Sequence, residues 1–413
     1  MKKKRIKYPL IGILVLIIGF VVFTDNYYGR LIRWNIPDVY DYEKFPYKSI
    51  KNSDNPYLIP KKNNEDFFSK LEFQRNGETI NDFNEFLKLT RTNAFIVIQN
   101  DIIIFEKYLN GRSRESLCKA FSASKSVLSL LIGIAINEGH INSINDPLKK
   151  YIDDFRNKEL GKITIKQCLN QTTGIKYNNK MSFFSDKAKF YYTKNVRDLI
   201  KGVELENKPG AKWSTDEYSI LLLGAVLENA TGESISDYLK QKIWTQIGTE
   251  YPATFSVDSK EHKFEHVADG LNATAIDFAK IGLLLLHNGQ WNQKQIIPIN
   301  WLNESFSLSE SSETDRHGLN FKYLWWINKE NGNFHAAGHF GQYIFVSPKS
   351  NITIVRFGER KGGVSWWYYI FPKIVNGLNR QTECKELGSG LTLLHFKYGG
   401  DLHCISHGRA ITN

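Results

Sequence analysis

Ser122 and Lys125 stand one helical turn apart in the run Phe121-Ser122-Ala123-Ser124-Lys125-Ser126-Val127-Leu128. At positions i and i+3 of a helix both side chains lie on one face and reach the same point in space. A neutral lysine amine there can take the hydroxyl proton as the serine attacks a carbonyl, so the pair can perform nucleophilic catalysis without a histidine. The helix start adds a second effect, because its unpaired backbone N–H groups and its dipole favour negative charge and disfavour a charged ammonium. Ser-x-x-Lys alone is a weak pattern: Ser116-Leu117-Cys118-Lys119 matches it six residues upstream. The residues downstream of each separate the two. Beyond Lys125 the apolar residues Val127, Leu128, Leu130, Leu131, Ile134 and Ala135 continue as a largely buried helix to Glu138-Gly139, whereas Ser116 precedes no such run. The plain alternative makes Ser122 a helix N-cap and Lys125 a solvated first-turn lysine.

Other chemical signals compete with this pair. His262-Lys263-Phe264-Glu265-His266 spells H-x-x-E-H, which on a helix can hold zinc between two histidines with the glutamate as base. Val267-Ala268-Asp269-Gly270 comes directly after it and no apolar-striped helix carries the motif, so no metal site is assigned. His335 and His339 are also four apart, but Gly338 between them and the flanking strand pattern argue against a helical metal site. Cys118, Cys168, Cys384 and Cys404 are too few and too scattered for a disulfide scaffold or a zinc cluster, and Cys118 and Cys168 read as buried free thiols. No cofactor is implied.

The elements that must position Ser122 and Lys125 are mixed. Phe95-Ile96-Val97-Ile98 and Ile102-Ile103-Ile104-Phe105, separated by Gln99-Asn100-Asp101, predict a β-hairpin. Helical patterns then occur near Ile165 to Gln171, from Asp216 to Ala230, from Ser234 to Ile247 and from Thr274 to Leu286. Strand patterns return at Tyr343-Ile344-Phe345-Val346 and at Ile352 to Phe357, before an aromatic helix from about Val364 to Val375. Strands from both ends around a helical middle predict one antiparallel sheet with helices packed on it, an α+β arrangement.

Several segments, in order, resemble a known family. They are Phe121 to Ser126, Lys162 to Lys166 running into Thr172-Thr173-Gly174, Pro209-Gly210 with Leu221-Leu222-Leu223-Gly224, Leu271 to Ala279, and Gly338-His339-Phe340-Gly341-Gln342. Together they look like the serine β-lactamase and penicillin-binding-protein superfamily, and within it class C-type serine hydrolases, including esterases and aminohexanoate-dimer hydrolases. The resemblance implies an antiparallel sheet flanked by helices with an adjoining all-helical region, and acyl transfer through a serine acyl-enzyme. Ser122 would be the nucleophile and Lys125 its base. The family's third motif falls on Ala336-Ala337-Gly338, which implies that the backbone N–H groups of His339 and Ser122 hold the oxyanion and that substrate passes close to Gly338.

Two departures stand out. The tyrosine that relays protons in the family falls on Thr215, and Tyr218, one turn later, is the candidate to replace it; its plain alternative is an ordinary aromatic on the helix. Tyr177, just after Thr173-Gly174, is a candidate for lining the site. Ala336 stands where the family has a cation, which weakens binding of a substrate carboxylate. The expected substrate is a small ester or amide, with lactam or peptide open. The alternative is a catalytically impaired protein of this fold that binds cell-wall peptide or a protein partner.

With 413 residues and 42% hydrophobic content the chain can hold a large core. Five positive residues crowd the first seven positions and account for much of the net +11, leaving the rest only mildly basic, with no basic stripe or phosphate loop; nucleic-acid binding is not expected. Those cations precede an apolar stretch, Tyr8 to Phe23, which predicts one N-terminal transmembrane helix, with the rest extracytoplasmic, periplasmic or at the cell surface. The division expected is an anchor or signal segment at 1–24, a connector at 25–75 lying on or leading to the globular part, a hydrolase domain at 76–379 and a tail of unassigned role at 380–413.

Overall fold

The computed structural model describes residues 7–153, 155, 157–180, 182–307, 318–362 and 367–386, and short strands at 391–394, 403–406 and 409–410. Its centre is a seven-stranded antiparallel sheet in the order Leu319–Lys322, Trp325–Asn328, Phe334–Gly338, Gln342–Ser347, Ile352–Gly358, Thr92–Gln99 and Ile102–Tyr108. The hairpin from the first part of the chain is therefore the far edge of a sheet built mainly from the last part. The seam pairs Ile354 with Val97 and Val355 with Ile96. Both faces are covered, which is why these strands read as nearly unbroken apolar runs. Phe95, Val97, Phe345 and Ile354 point to one side, under the Trp367–Glu386 helix with its Phe371, Ile374 and Leu378. Ile96, Ile98, Ile344 and Val355 point to the other, toward the Ala123–Asn137, Glu217–Thr231 and Ala275–Leu286 helices. The last of these lies so close that a Cβ on Gly282 would sit 2.1 Å from Thr353 Oγ1.

A second, four-stranded sheet carries the chain into the Ser122 helix. Its order is Tyr47–Ile50, Ala253–Ser256, Leu271–Thr274 and Leu117–Lys119. The expected helices form at Ile165–Leu169, Glu217–Thr231, Ile235–Leu239 and Ala275–Leu286, and the third continues as a π-turn over Lys240–Trp244. The α+β arrangement stands. The C-terminal helix starts its described part at Trp367 and runs beyond Asn379 to Glu386; the expected start near Val364 lies outside the described residues.

Residues 25–75 lie on the globular body. Tyr47–Ile50 is an edge strand, and Lys61 bridges to Ile103. The Tyr27–Trp34 helix is pinned by Arg30, 1% exposed, which donates to both carboxylate oxygens of Asp25 and to the Asp258 carbonyl at 2.7 Å.

The N-terminal membrane span is corrected by the structure. The described part of the helix, Lys7–Phe23, has 17 residues and at about 1.5 Å per residue rises about 25 Å, against the roughly 30 Å of a bilayer's hydrocarbon core. Thr24 closes it, its hydroxyl donating to the Phe20 carbonyl at 2.7 Å, and Asn26 caps the next helix through the Gly29 N–H. Among the described residues no helix is long and apolar enough to cross a membrane. The transmembrane helix, the membrane as its partner and the anchored extracytoplasmic location inferred from it are therefore not supported.

Candidate active site

The turn into the Ser122 helix is fixed from both sides. Cys118 pairs with Ala273, and the Ala120 N–H donates to the Leu271 carbonyl at 3.0 Å. Phe121 then takes a left-handed conformation, φ +48°, an unfavourable backbone for an aromatic residue that the flanking contacts hold in place. Ser124 accepts from the Leu271 N–H at 3.2 Å, and Ser126 donates to the Leu324 carbonyl at 2.7 Å. Buried Leu128, Leu130, Leu131 and Ile132 sink the helix into the core, each worth about 1.5–3 kcal/mol relative to exposure.

Within this frame Ser122 does not act as a cap. Asp82, Thr164, Ser185, Asp216, Ser234 and Thr274 all accept a hydrogen bond from the first turn of their helices, but Ser122, itself in the helical region, makes no side-chain capping bond. The Lys125 side chain is 12% exposed, so it is not a solvated surface lysine, and its Nζ lies 3.9 Å from Glu217 Oε1.

No sequence motif points to Glu217. It opens the Glu217–Thr231 helix, whose start is clamped by the Gln171–Gly174 segment: Gln171 Nε2 donates to the Asp216 carbonyl at 2.9 Å and the Ser214 N–H to the Gln171 carbonyl at 2.9 Å. Burial raises the Glu217 carboxyl above its ordinary range; Lys125 opposes this and Asp269 reinforces it. The signal that could have found it is two adjacent acids directly after Thr215 at a helix start, next to the place where the family tyrosine is missing. Asp216 is saturated by contrast, accepting from Ser219 N at 2.5 Å and Ser219 Oγ at 2.6 Å.

Tyr218 is buried. Its hydroxyl donates to Asp186 Oδ1 at 3.1 Å, its ring packs edge-on against Phe190 and Tyr177, and burial followed by the Asp186 charge raises its phenol. Tyr177 is half-buried beside it, with a buried hydroxyl that has no hydrogen-bond partner among the described residues.

The Phe334–Gly338 strand ends beside the turn that leads into Ser122. A Cβ on Gly338 would stand 2.2 Å from the Ala120 carbonyl oxygen, so only glycine lets this strand end touch the turn two residues before the serine. His339 comes next at an exposed position, its ring near Phe121 and Phe340. Ala336 is fully buried in the apolar core.

The rival signals resolve into structure. His262 is exposed, whereas Glu265 is buried and accepts from Ser236 Oγ at 2.7 Å and from the Ser236 N–H at 3.1 Å. His266 is buried against Phe45 and burial pushes it down to about 4. His335 is buried, near Tyr343 and Tyr368, while His339 is exposed, so the two do not form a pair. Among the described residues no group of three His, Cys, Asp or Glu is arranged to hold a metal. Cys118 and Cys168 are buried free thiols.

Comparison with known proteins agrees with this architecture. Residues 89–366 match the family model described as Beta-lactamase. The 6-aminohexanoate-dimer hydrolase of Paenarthrobacter ureafaciens is 23% identical over 298 residues, covering 67% of this chain and 75% of that protein. Protein flp of Staphylococcus aureus is 24% identical over 323 residues, and the match spans 70% of this chain but only 62% of flp. A solved structure of a provisionally assigned 6-aminohexanoate-dimer hydrolase from Bacillus anthracis superposes with a TM-score of 0.74 at 25% identity, covering 85% of this chain and 94% of that one. With well over half of its length matched, the chain belongs to the beta-lactamase family and is a serine hydrolase.

Proposed function

We propose that this protein hydrolyses a small ester or amide through an acyl-enzyme on Ser122, with Lys125 as general base. Lys125 Nζ takes the Ser122 proton as Oγ attacks the substrate carbonyl; the C=O electron pair moves to oxygen, held by the N–H groups of Ser122 and His339. Collapse expels the leaving amine or alcohol, which takes the proton back from Nζ, and water repeats the cycle to release the acid. Tyr218 is left out of the proton path because Asp186 holds its hydroxyl.

The observation that carries this reading is the close approach of Gly338 to the Ala120 carbonyl, which brings the strand end to the turn that presents Ser122. The relatives named for a 6-aminohexanoate dimer make that compound the first amide to assay. The test is labelling with a fluorophosphonate, followed by mass spectrometry, alongside hydrolysis of a 4-nitrophenyl ester. An adduct on Ser122 and loss of hydrolysis in Ser122→Ala support the reading; no adduct and no turnover would leave a binding protein.

A further inference from the structure

We propose that Glu217 is the proton-accepting partner of Lys125, a positioning residue that passes the Ser122 proton onward in the place where Thr215 offers no acid. This inference rests on the Ser122 and Lys125 reading above. It comes from elimination around Lys125. Asp216 lies within electrostatic reach, but Ser219 and Thr173 already donate to its oxygens. Tyr218 donates to Asp186, and Thr215 is exposed and carries no group that titrates near neutrality. Glu217 faces Lys125 Nζ at 3.9 Å, with a side chain only 23% exposed, and beyond its own N–H it has no other donor among the described residues. A glutamate needed merely to favour a helix start would have no reason to point at a nearly buried lysine on another helix.

The proton balance is closed. As Ser122 Oγ bonds to the carbonyl carbon, its proton moves to Nζ while a second Nζ proton moves to Glu217 Oε1, so Lys125 keeps the same number of protons throughout. When the bond to the leaving atom breaks, its electron pair stays on that atom, which takes a proton from Nζ, and Glu217 returns its own to Nζ. A movement of about 1 Å brings Nζ and Oε1 to the spacing of a charge-assisted hydrogen bond. The groups that face Glu217 are Lys125 from its helix and Asp269 from the loop before Leu271; burial and Asp269 both make its carboxylate a stronger proton acceptor, and Lys125 opposes them.

The test is the burst of 4-nitrophenol release from 4-nitrophenyl acetate by the full chain between pH 4 and 9, for wild type, Glu217→Gln, Glu217→Asp and Ser122→Ala. A protonated Glu217 cannot accept, so wild-type acylation should fall on the acid side. The Gln variant should lose on the order of 100-fold and have its acid limb displaced from the wild-type position, because Lys125 must still be neutral to take the Ser122 proton, while still labelling slowly at Ser122; the Asp variant should keep the limb. A Gln variant with the wild-type rate and the wild-type acid limb overturns the proposal, as does an Asp variant without the limb. A wild type with no Ser122 adduct and a burst unchanged in Ser122→Ala overturns the underlying reading instead, and this is visible without any Glu217 variant.

Discussion

The guanidinium of Arg356 donates to the Gly341 carbonyl at 2.6 Å, tying the Ile352–Gly358 strand to the turn just after His339. Arg356 is fully buried, and the same group donates to the carbonyls of Phe340, Thr90 and Arg360 and to Thr92 Oγ1 while stacking over Trp367. Its hydrogen bonds to protein run to neutral oxygens, four of them main-chain carbonyls, so its planar fork matters more than its charge. Phe340, left-handed at φ +62°, sits in the turn so held.

Arg356→Met should therefore strand several buried carbonyls and destabilise the fold by about 3 kcal/mol or more, read from urea unfolding. Arg356→Lys should recover only part of this, because an ammonium cannot span the same acceptors. If both variants unfold like wild type, the guanidinium is not what holds the turn.

Gly338→Ala tests the approach of the strand end to the Ser122 turn. The added methyl would stand 2.2 Å from the Ala120 oxygen, so the strand must move away. Only the end of one strand is disturbed, so the fold should survive. The expected result is an acylation rate lowered by about 100-fold or more, the size of losing one oxyanion donor, with a melting temperature lowered by only a few degrees. A variant that acylates normally would mean that this strand end does not serve the serine.

How much of the molecule is legible in its sequence depends on the range of the interactions. Ser122 and Lys125 share one helix, so their neighbourhood is fixed by local periodicity, and the apolar run after Lys125 reads directly as the buried helix. The sheet is legible because Ile96 and Ile98 alternate with Phe95 and Val97 and both sides are covered. Glu217 escapes notice because its meaning comes from Lys125, 92 positions earlier, and no local pattern records that meeting. Ala336 stands where the resemblance implies a cation, and its burial in the apolar core is set by strand pairing that the local sequence does not record. Residues 25–75 lack one sustained period because they pack in short pieces, Tyr27, Leu31 and Trp34 against Phe45 and Tyr191, and Phe67, Phe68, Leu71 and Phe73 under the sheet, with Arg30 as a polar anchor between. The apolar N-terminal stretch reads as a span by hydropathy, but among the described residues its helix covers only Lys7–Phe23, 17 residues.

Acid should weaken the fold through two buried histidines. Burial pushes His266 down to about 4 and His335 down to about 3 from an ordinary 6.5. In the unfolded chain each takes up a proton near 6.5, whereas the folded protein refuses it until the lower value. Unfolded chains thus bind more protons in that window, so stability is full above pH 6.5 and is lost as the pH falls toward 4 and 3. The loss should amount to a few kcal/mol between pH 7 and 4. Urea midpoints measured across this range should slope less in His335→Phe than in wild type; an unchanged slope would place the acid sensitivity elsewhere.

Tyr218→Phe separates an aromatic packing role from a proton relay. The phenol donates at 3.1 Å to Asp186, which also accepts from the Asn178 N–H at 2.7 Å and pairs with Lys189 at 2.8 Å. Removing the hydroxyl takes one donor from a carboxylate that keeps two others, and the ring stays against Phe190 and Tyr177. The cost should be about 1 kcal/mol of stability and less than about threefold in kcat/KM, far below the 100-fold or greater loss of a general acid or base. Steady-state hydrolysis of a 4-nitrophenyl ester by the purified variant decides the matter. A loss of two orders of magnitude in kcat with KM unchanged would restore Tyr218 to the proton path and leave Glu217 without that role.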